Sequence, residues 1–276
     1  IQILREGVRE NDYCRLGNKP LVLGIAGDSG VGKSTFSRGL AAVFGEQSLA
    51  EISGDDYHNW ERFSPMWGTL THLDPKANRL FELVNDVRDL IEGKVVKARS
   101  YDHASGRFLP QKIKKSKNVI LVEGLHTLYP RQLIEELDVS FFIEMQDSLR
   151  LYLRTQRDTK DRGHFEEEAL KEIERRSVDS EKYIKPQGER ADVIFTILLI
   201  NNELFEKDHI VNSNIKLRAR IKNGIYYQEL VRVLIGVCGL HVNIDSVDER
   251  GEVILEISGD VASEDIGLAI HMLVPH

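Results

Sequence analysis

Nine consecutive residues carry the sharpest chemical signal: Gly27, Asp28, Ser29, Gly30, Val31, Gly32, Lys33, Ser34 and Thr35. The first eight satisfy the pattern G-x-x-x-x-G-K-[ST] in full. Glycines at those intervals let successive backbone N–H groups turn inward as an anion nest, and a helix N-terminus behind them adds partial positive charge. Lys33 can then reach the β- and γ-phosphates of a nucleotide, and the Ser34 hydroxyl can ligate Mg²⁺. A glycine-rich turn can match such a pattern by accident. An apolar run before it and a helical pattern after it set this one apart.

Four further clusters could act on what that loop holds. Asp55-Asp56-Tyr57-His58, with Arg62 four residues on, supplies a carboxylate able to take a proton from an attacking hydroxyl. The plainer alternative is a polar turn in which either aspartate caps local backbone. Glu123, heading Glu123-Gly124-Leu125-His126, directly follows the apolar run NVILV, as a Walker-B acid that helps to hold Mg²⁺ would. Arg154, Arg157 and Arg162, interleaved with Asp158 and Asp161, can stabilise phosphoryl charge or form a solvated, self-paired helix face. Tyr101-Asp102-His103 before Ser105-Gly106 is a weak signal taken alone.

Those residues need a scaffold. Apolar runs at Leu21–Ala26, Leu49–Ser53, Asn118–Val122, Val139–Glu144 and Asp192–Leu199 predict strands. Helical patterns fill Lys33–Phe44, Lys76–Glu92, Pro130–Leu137 and Ser148–Thr159, and a charged helical stretch runs from Phe165 to Arg176. Strands alternating with helices predict an α/β fold, a doubly wound, mostly parallel sheet of the P-loop NTPase type. In such a sheet, ligands bind at the carboxyl ends of the strands, where the loop, Asp55 and Glu123 all fall. Val95–Tyr101 and Arg107–Ile113 predict a small antiparallel excursion. After Asn201 the pattern changes: IKLRARI and EVILEI read as strands, YYQELVRVL and Ser263–Leu273 as helices, together a C-terminal α+β appendage.

Composition bounds the function classes. The 276 residues are 41% hydrophobic and 29% charged, ordinary for a globular protein, and the net charge of −7 gives no footprint for nucleic acid. Two cysteines, Cys14 and Cys238, form neither a disulfide framework nor a zinc site. No apolar run is long enough to span a bilayer and no secretory signal is visible, so a cytoplasmic protein without membrane contact is expected. The chain opens at Ile1, so residues before it are expected.

Taken together, GIAGDSGVGKSTF, ISGDDYHNWER, LDPKAN, SYDHASG, VILVEGLHTLY, QRDTKDRGH and YIKPQ…ADVIF, in that order from Gly24 to Phe195, resemble the phosphoribulokinase and uridine kinase family, on its phosphoribulokinase side. The resemblance implies an ATP- and Mg²⁺-dependent kinase with a sugar-phosphate substrate, and the change of pattern after Asn201 divides the chain into a P-loop kinase domain, residues 1–200, and a small subdomain, residues 201–276. It implies Asp55 as catalytic base, and Lys33 and Ser34 serving ATP and Mg²⁺ with Glu123 on the metal. His58, Arg62, Tyr101, His103 and Arg154 would bind substrate, Asp158 would be a second essential acid, and Arg157 and Arg162 would stabilise phosphoryl charge. It further implies a homodimer. Photosynthetic members carry a redox pair of cysteines where this chain has Val31 and Ser53, so that switch is expected to be absent.

The leading expectation is therefore phosphoryl transfer to ribulose 5-phosphate, with a uridine or cytidine kinase, or another small-molecule kinase of the same family, as the alternative. A nucleoside has no phosphate to bind, which makes an arginine-rich pocket a poor match. From another class comes a regulatory P-loop protein that only binds nucleotide. A GTPase would add a guanine-reading N-K-x-D block, which is missing.

Overall fold

The computed structural model describes residues 19–160, 175–200, 215–222, 227–247 and 251–260, with 262, 265 and 272, and describes side chains in the fifth helix as far as Leu153. These residues divide between two compact units, one built from Lys19–Ile143 with Arg150–Ala191, the other from Glu144–Leu149 with the chain from Asp192 onward.

In the first unit, strands β1 (Leu21–Gly27), β2 (Leu49–Ser53), β5 (Val119–Gly124) and β6 (Val139–Met145) form a parallel array in the order β2-β5-β1-β6. Their sequences are near-continuous apolar runs, as strands covered on both faces must be, and Ile25, Ile52, Ile120, Leu121 and Val122 are fully buried. Helix α1 (Lys33–Phe44) follows the phosphate loop, α2 (Pro65–Thr69) is short, and α3 (Leu80–Ile91) turns Leu83, Val84, Val87 and Leu90 inward. That stripe recurs every three to four residues and packs with Ile52, Ile120 and Val122 in one core.

The predicted excursion is the hairpin β3 (Val95–Asp102) and β4 (Arg107–Lys115). Val96 and Ala98 join the same core, which anchors the hairpin at its base and sends its tip, with Tyr101 and His103, toward the site.

Two expected helices are shorter than their patterns. The stretch from Lys76 opens as a 3₁₀ turn at Pro75–Ala77, and Asn78 is extended at φ −131° and ψ 146° before α3 begins. The interruption has a cause: the Asn78 side chain donates to the carbonyl oxygens of His72 and Asp74, an alternative to helical bonding that asparagine favours. From Pro130 only α4 (Arg131–Ile134) is regular. Helix α5 (Asp147–Lys160) meets its expectation.

In the second unit, β7 (Val193–Leu199), β8 (Ile215–Ile221), β9 (His241–Val247) and β10 (Val253–Ser258) are antiparallel in the order β7-β8-β10-β9. Helix α6 (Gln228–Gly236) packs Val233 against Cys238. Strand β9, HVNIDSV, escaped the sequence reading because polar residues interrupt its apolar ones. The charged stretch from Phe165 and the terminal helix near Ser263 lie almost wholly outside the described residues.

Candidate active site

The phosphate loop links β1 to α1. Gly32, immediately before the helix, stands at φ 96°, a left-handed conformation that any side chain would strain. Lys33 Nζ donates to the Asp28 carbonyl oxygen at 2.8 Å, curling the ammonium back over the loop. The Asp28 side chain faces inward instead. It accepts from Ser29 N and Ser180 Oγ, each at 2.5 Å, and from Arg150. Burial alone would raise its pKa, but the Arg150 guanidinium and these hydrogen bonds hold the carboxyl below the usual range.

Strand β2 ends in a 3₁₀ turn, Gly54–Tyr57, whose rotation separates two adjacent aspartates into different roles. Asp56 is buried and structural, accepting from Tyr101 N at 2.8 Å and from Lys114 Nζ at 3.2 Å, which ties both hairpin strands to the turn. Asp55 faces the cleft, with 26% of its side chain accessible, and receives His58 Nε2 at 3.3 Å and His103 Nε2 at 3.0 Å on its two oxygens. Burial opposes its ionised form, yet the hydrogen bonds from His103 and His58 win and hold the carboxyl well below the usual carboxylate range.

At the end of β5, Glu123 lies against α1, accepting from Ser37 Oγ at 2.9 Å and Ser34 Oγ at 3.4 Å. Asp55 and Glu123 share one cleft because Gly54 and Gly124 let β2 and β5 close up. A Cβ on Gly124 would stand 3.0 Å from Gly54 Cα, and one on Gly54 would stand 3.2 Å from Gly124 Cα. Buried Gln187 fixes the loop after Glu123, donating to Leu125 O and accepting from Leu128 N.

A cleft of about 290 Å³ gathers Lys33, Ser34, Asp55, His58, Arg62, Tyr101, His103 and Glu123, which the sequence reading had singled out from four separate stretches. The hairpin tip is held to the Arg62 segment by Arg62 N to Gly106 O at 2.9 Å and by the Arg62 guanidinium to His103 O at 2.8 Å. Arg176, which also lines the cleft, was not foreseen as a site residue, nor were Trp67 and His72. Their rings stack at 4.9 Å, and Trp67 lies nearly parallel to Tyr101 at 6.4 Å. No motif marks them; the signal available was only that two aromatic side chains follow Arg62 closely. Arg154, Arg157 and Asp158 fall where side chains are not described, and Arg162 lies outside the described residues.

His126, in the turn after Glu123, is 4% exposed, and burial pushes its imidazole down to about 4. The unfolded chain takes up this proton below about pH 6.5. The resulting stability is therefore complete above that value and is lost as pH falls toward 4. Between pH 7 and about pH 4.5, His126 is expected to account for about 2 kcal/mol of lost unfolding free energy. Urea titrations of His126→Gln should show a loss smaller by that amount, and equal losses in both proteins would refute the assignment.

A family model described as Phosphoribulokinase / Uridine kinase family matches residues 22–202. A phosphoribulokinase of Synechocystis sp. is 34% identical over 181 residues, covering 66% of this chain and 54% of that protein. A uridine kinase of Ligilactobacillus salivarius is 29% identical over 181 residues, covering 64% of this chain and 85% of that protein. Among solved structures, a phosphoribulokinase from Rhodobacter spheroides has a TM-score of 0.69 at 18% identity, covering 93% of this chain and 95% of that one, a likeness of fold. The chain spans about half the length of the curated phosphoribulokinases it matches.

Proposed function

The chain belongs to the phosphoribulokinase and uridine kinase family, and from that premise we propose that it transfers the γ-phosphoryl group of ATP to a sugar-phosphate hydroxyl, with the C1 hydroxyl of ribulose 5-phosphate as acceptor. The observation that carries this reading is Asp55, an ionised carboxylate facing the cleft that also holds Lys33, with Arg62, His58 and His103 around it. An acceptor that brings its own phosphate needs a cation such as the Arg62 guanidinium beside it; an uncharged nucleoside does not.

In the reaction, the acceptor oxygen forms a bond to the γ-phosphorus while the bond to the leaving ADP oxygen breaks, and the hydroxyl proton passes to the Asp55 carboxylate. A carboxylate with a lowered pKa is a weak base. Because the transition state for phosphoryl transfer is loose, little deprotonation is needed before the phosphorus is engaged, and orientation of the hydroxyl matters more than base strength. The loop amides and Lys33 hold the transferring group, and Arg62 and His103 face the acceptor. The Ser34 hydroxyl and the Glu123 carboxylate, 3.4 Å apart, are oxygen donors that suit a hard cation, so Mg²⁺ fits there and would offset charge on the β- and γ-phosphates.

The second reading is a uridine kinase. It is favoured by the stacked Trp67, His72 and Tyr101 rings, which suit a flat base. ADP release measured in parallel with ribulose 5-phosphate, uridine and buffer separates the two. Release above the buffer rate is expected with ribulose 5-phosphate. Faster release with uridine would replace the first reading by the second, and release with neither acceptor would leave a nucleotide-binding protein.

A further inference from the structure

We propose that a hollow lined by Trp60, Phe63, Arg99, Arg107 and Phe108 is a second ligand site, which takes a phosphate monoester carried on a flat ring. The proposal goes beyond the kinase reading and uses none of its chemistry.

The hollow measures about 380 Å³, more than the cleft, and room enough for a small molecule. No residue lines both. Its walls are residues 59–64 on one side and the hairpin of β3 and β4 on the other. Glu61 Oε1 fastens the two together by accepting from Phe108 N at 2.9 Å.

The cations in the hollow lack counter-charges. Arg99 is half-buried and pinned: its guanidinium lies 3.8 Å from the centre of the Phe108 ring and donates to the His58 carbonyl oxygen at 2.7 Å. That is its one hydrogen bond among the described residues, and its buried Nε finds no acceptor there. Arginine offers five donors, and its charge is costly to leave unpaired away from water. Neither Arg99 nor Arg107 has an ion-pair partner among the described residues. Glu61 is the one carboxylate in the lining, and one of its oxygens is already committed to Phe108 N. Two guanidinium groups against that single carboxylate leave a local positive excess in a chain of net charge −7. A phosphate monoester, with a charge of about −2 at pH 7, matches the planar forks of both arginines.

The remaining lining selects what carries the phosphate. Phe63 is 77% exposed, and the rings of Trp60 and Phe108 are half-buried. Inorganic phosphate would satisfy the arginines and leave these rings in water, whereas a ring-bearing ester covers both. The occupant would bear on the back of the acceptor wall, because Arg99 holds the His58 carbonyl and Phe108 meets the Tyr101 ring edge-on at 5.4 Å.

The chain's two tryptophans make the test direct, since Trp60 lines the hollow and Trp67 the cleft. Their indole N–H signals in ¹H–¹⁵N spectra of the full chain, assigned with Trp67→Phe, report on the two places separately. The probe is phenyl phosphate, added in the presence of a saturating non-hydrolysable ATP analogue. The Trp60 signal is expected to move saturably, with half-saturation at about 1 mM or below. Inorganic phosphate and phenol, the two halves of the probe, should each need at least about fivefold more. Arg107→Gln removes an exposed side chain outside the cleft, so the Trp67 signal should stay in place while half-saturation at Trp60 rises about tenfold. Arg99→Met should weaken binding at least as much, and if it does not fold, Arg107→Gln decides alone. A Trp60 signal unmoved at about 10 mM probe would overturn the proposal. So would unchanged affinity in Arg107→Gln, or inorganic phosphate or phenol binding as tightly as phenyl phosphate. No turnover is measured, so failure here leaves the kinase reading intact, and failure of that reading leaves this site intact.

Discussion

Asp55→Asn is expected to lower turnover by about 10²- to 10⁴-fold while ATP KM changes by no more than about twofold. The substitution keeps the shape of the side chain and removes its charge. One end of the new amide can still accept from His58 or His103, but the other end is an NH₂ that must face an N–H or find no acceptor. The site therefore loses its proton acceptor and part of the hydrogen bonding that orients both imidazoles. Lys33 and the loop amides lie on the other side of the cleft chemistry and do not depend on this carboxylate, which is why nucleotide binding should survive. Steady-state ADP release with ribulose 5-phosphate, paired with calorimetry using a non-hydrolysable ATP analogue, reads both quantities. Turnover within tenfold of wild type would remove Asp55 from the reaction.

Lys33→Ala should produce a different signature. Here kcat/KM is expected to fall by about 10²- to 10³-fold, the scale set by deleting one charged donor to an anionic transition state. Weaker ATP binding should account for part of the fall, because the ammonium meets phosphate oxygens in ground and transition states alike. The residue also braces the loop through its bond to the Asp28 carbonyl. Lys33→Arg is not expected to restore activity, since a planar guanidinium does not fit where a compact ammonium folds back over the loop. An unaltered ATP affinity in the alanine variant would show that Lys33 does not contact the nucleotide, and full activity in the arginine variant would show that the site does not require a compact ammonium.

Both predictions concern residues that were legible before any coordinates. The phosphate loop could be read because its chemistry is local: glycines, lysine and serine lie within eight positions, and their mutual geometry follows from the turn they make. The strands β1 and β5 were equally plain, since burial on both faces leaves an unbroken apolar run, while the shorter β2 is apolar on either side of the exposed Glu51. So were the carboxylates at their ends, which placed Asp55 and Glu123 on the same edge as the loop. Helix α3 was legible from its stripe, but its start was not. Lys76 and Ala77 fit a helical pattern, and only the bonds from Asn78 to His72 and Asp74 show why the chain stays extended there.

Sequence alone thus determined which backbone segment carries the G-x-x-x-x-G-K-[ST] pattern, which strand ends carry acids, and the family resemblance. Tertiary structure decided which of Asp55 and Asp56 faces the cleft, that the weak Tyr101–His103 signal belongs to the site, and that Trp67 and His72 line it. It also decided that Asn78, drawn in sequence as part of a helix, stands against His58. The division follows range. A phosphate nest is closed by hydrogen bonds among near neighbours and is written in consecutive residues. The acceptor wall is closed by contacts between chain segments some 20 to 45 positions apart, such as His58 with Asn78 and Asp56 with Tyr101, and exists only once the hairpin and α3 have packed on the sheet.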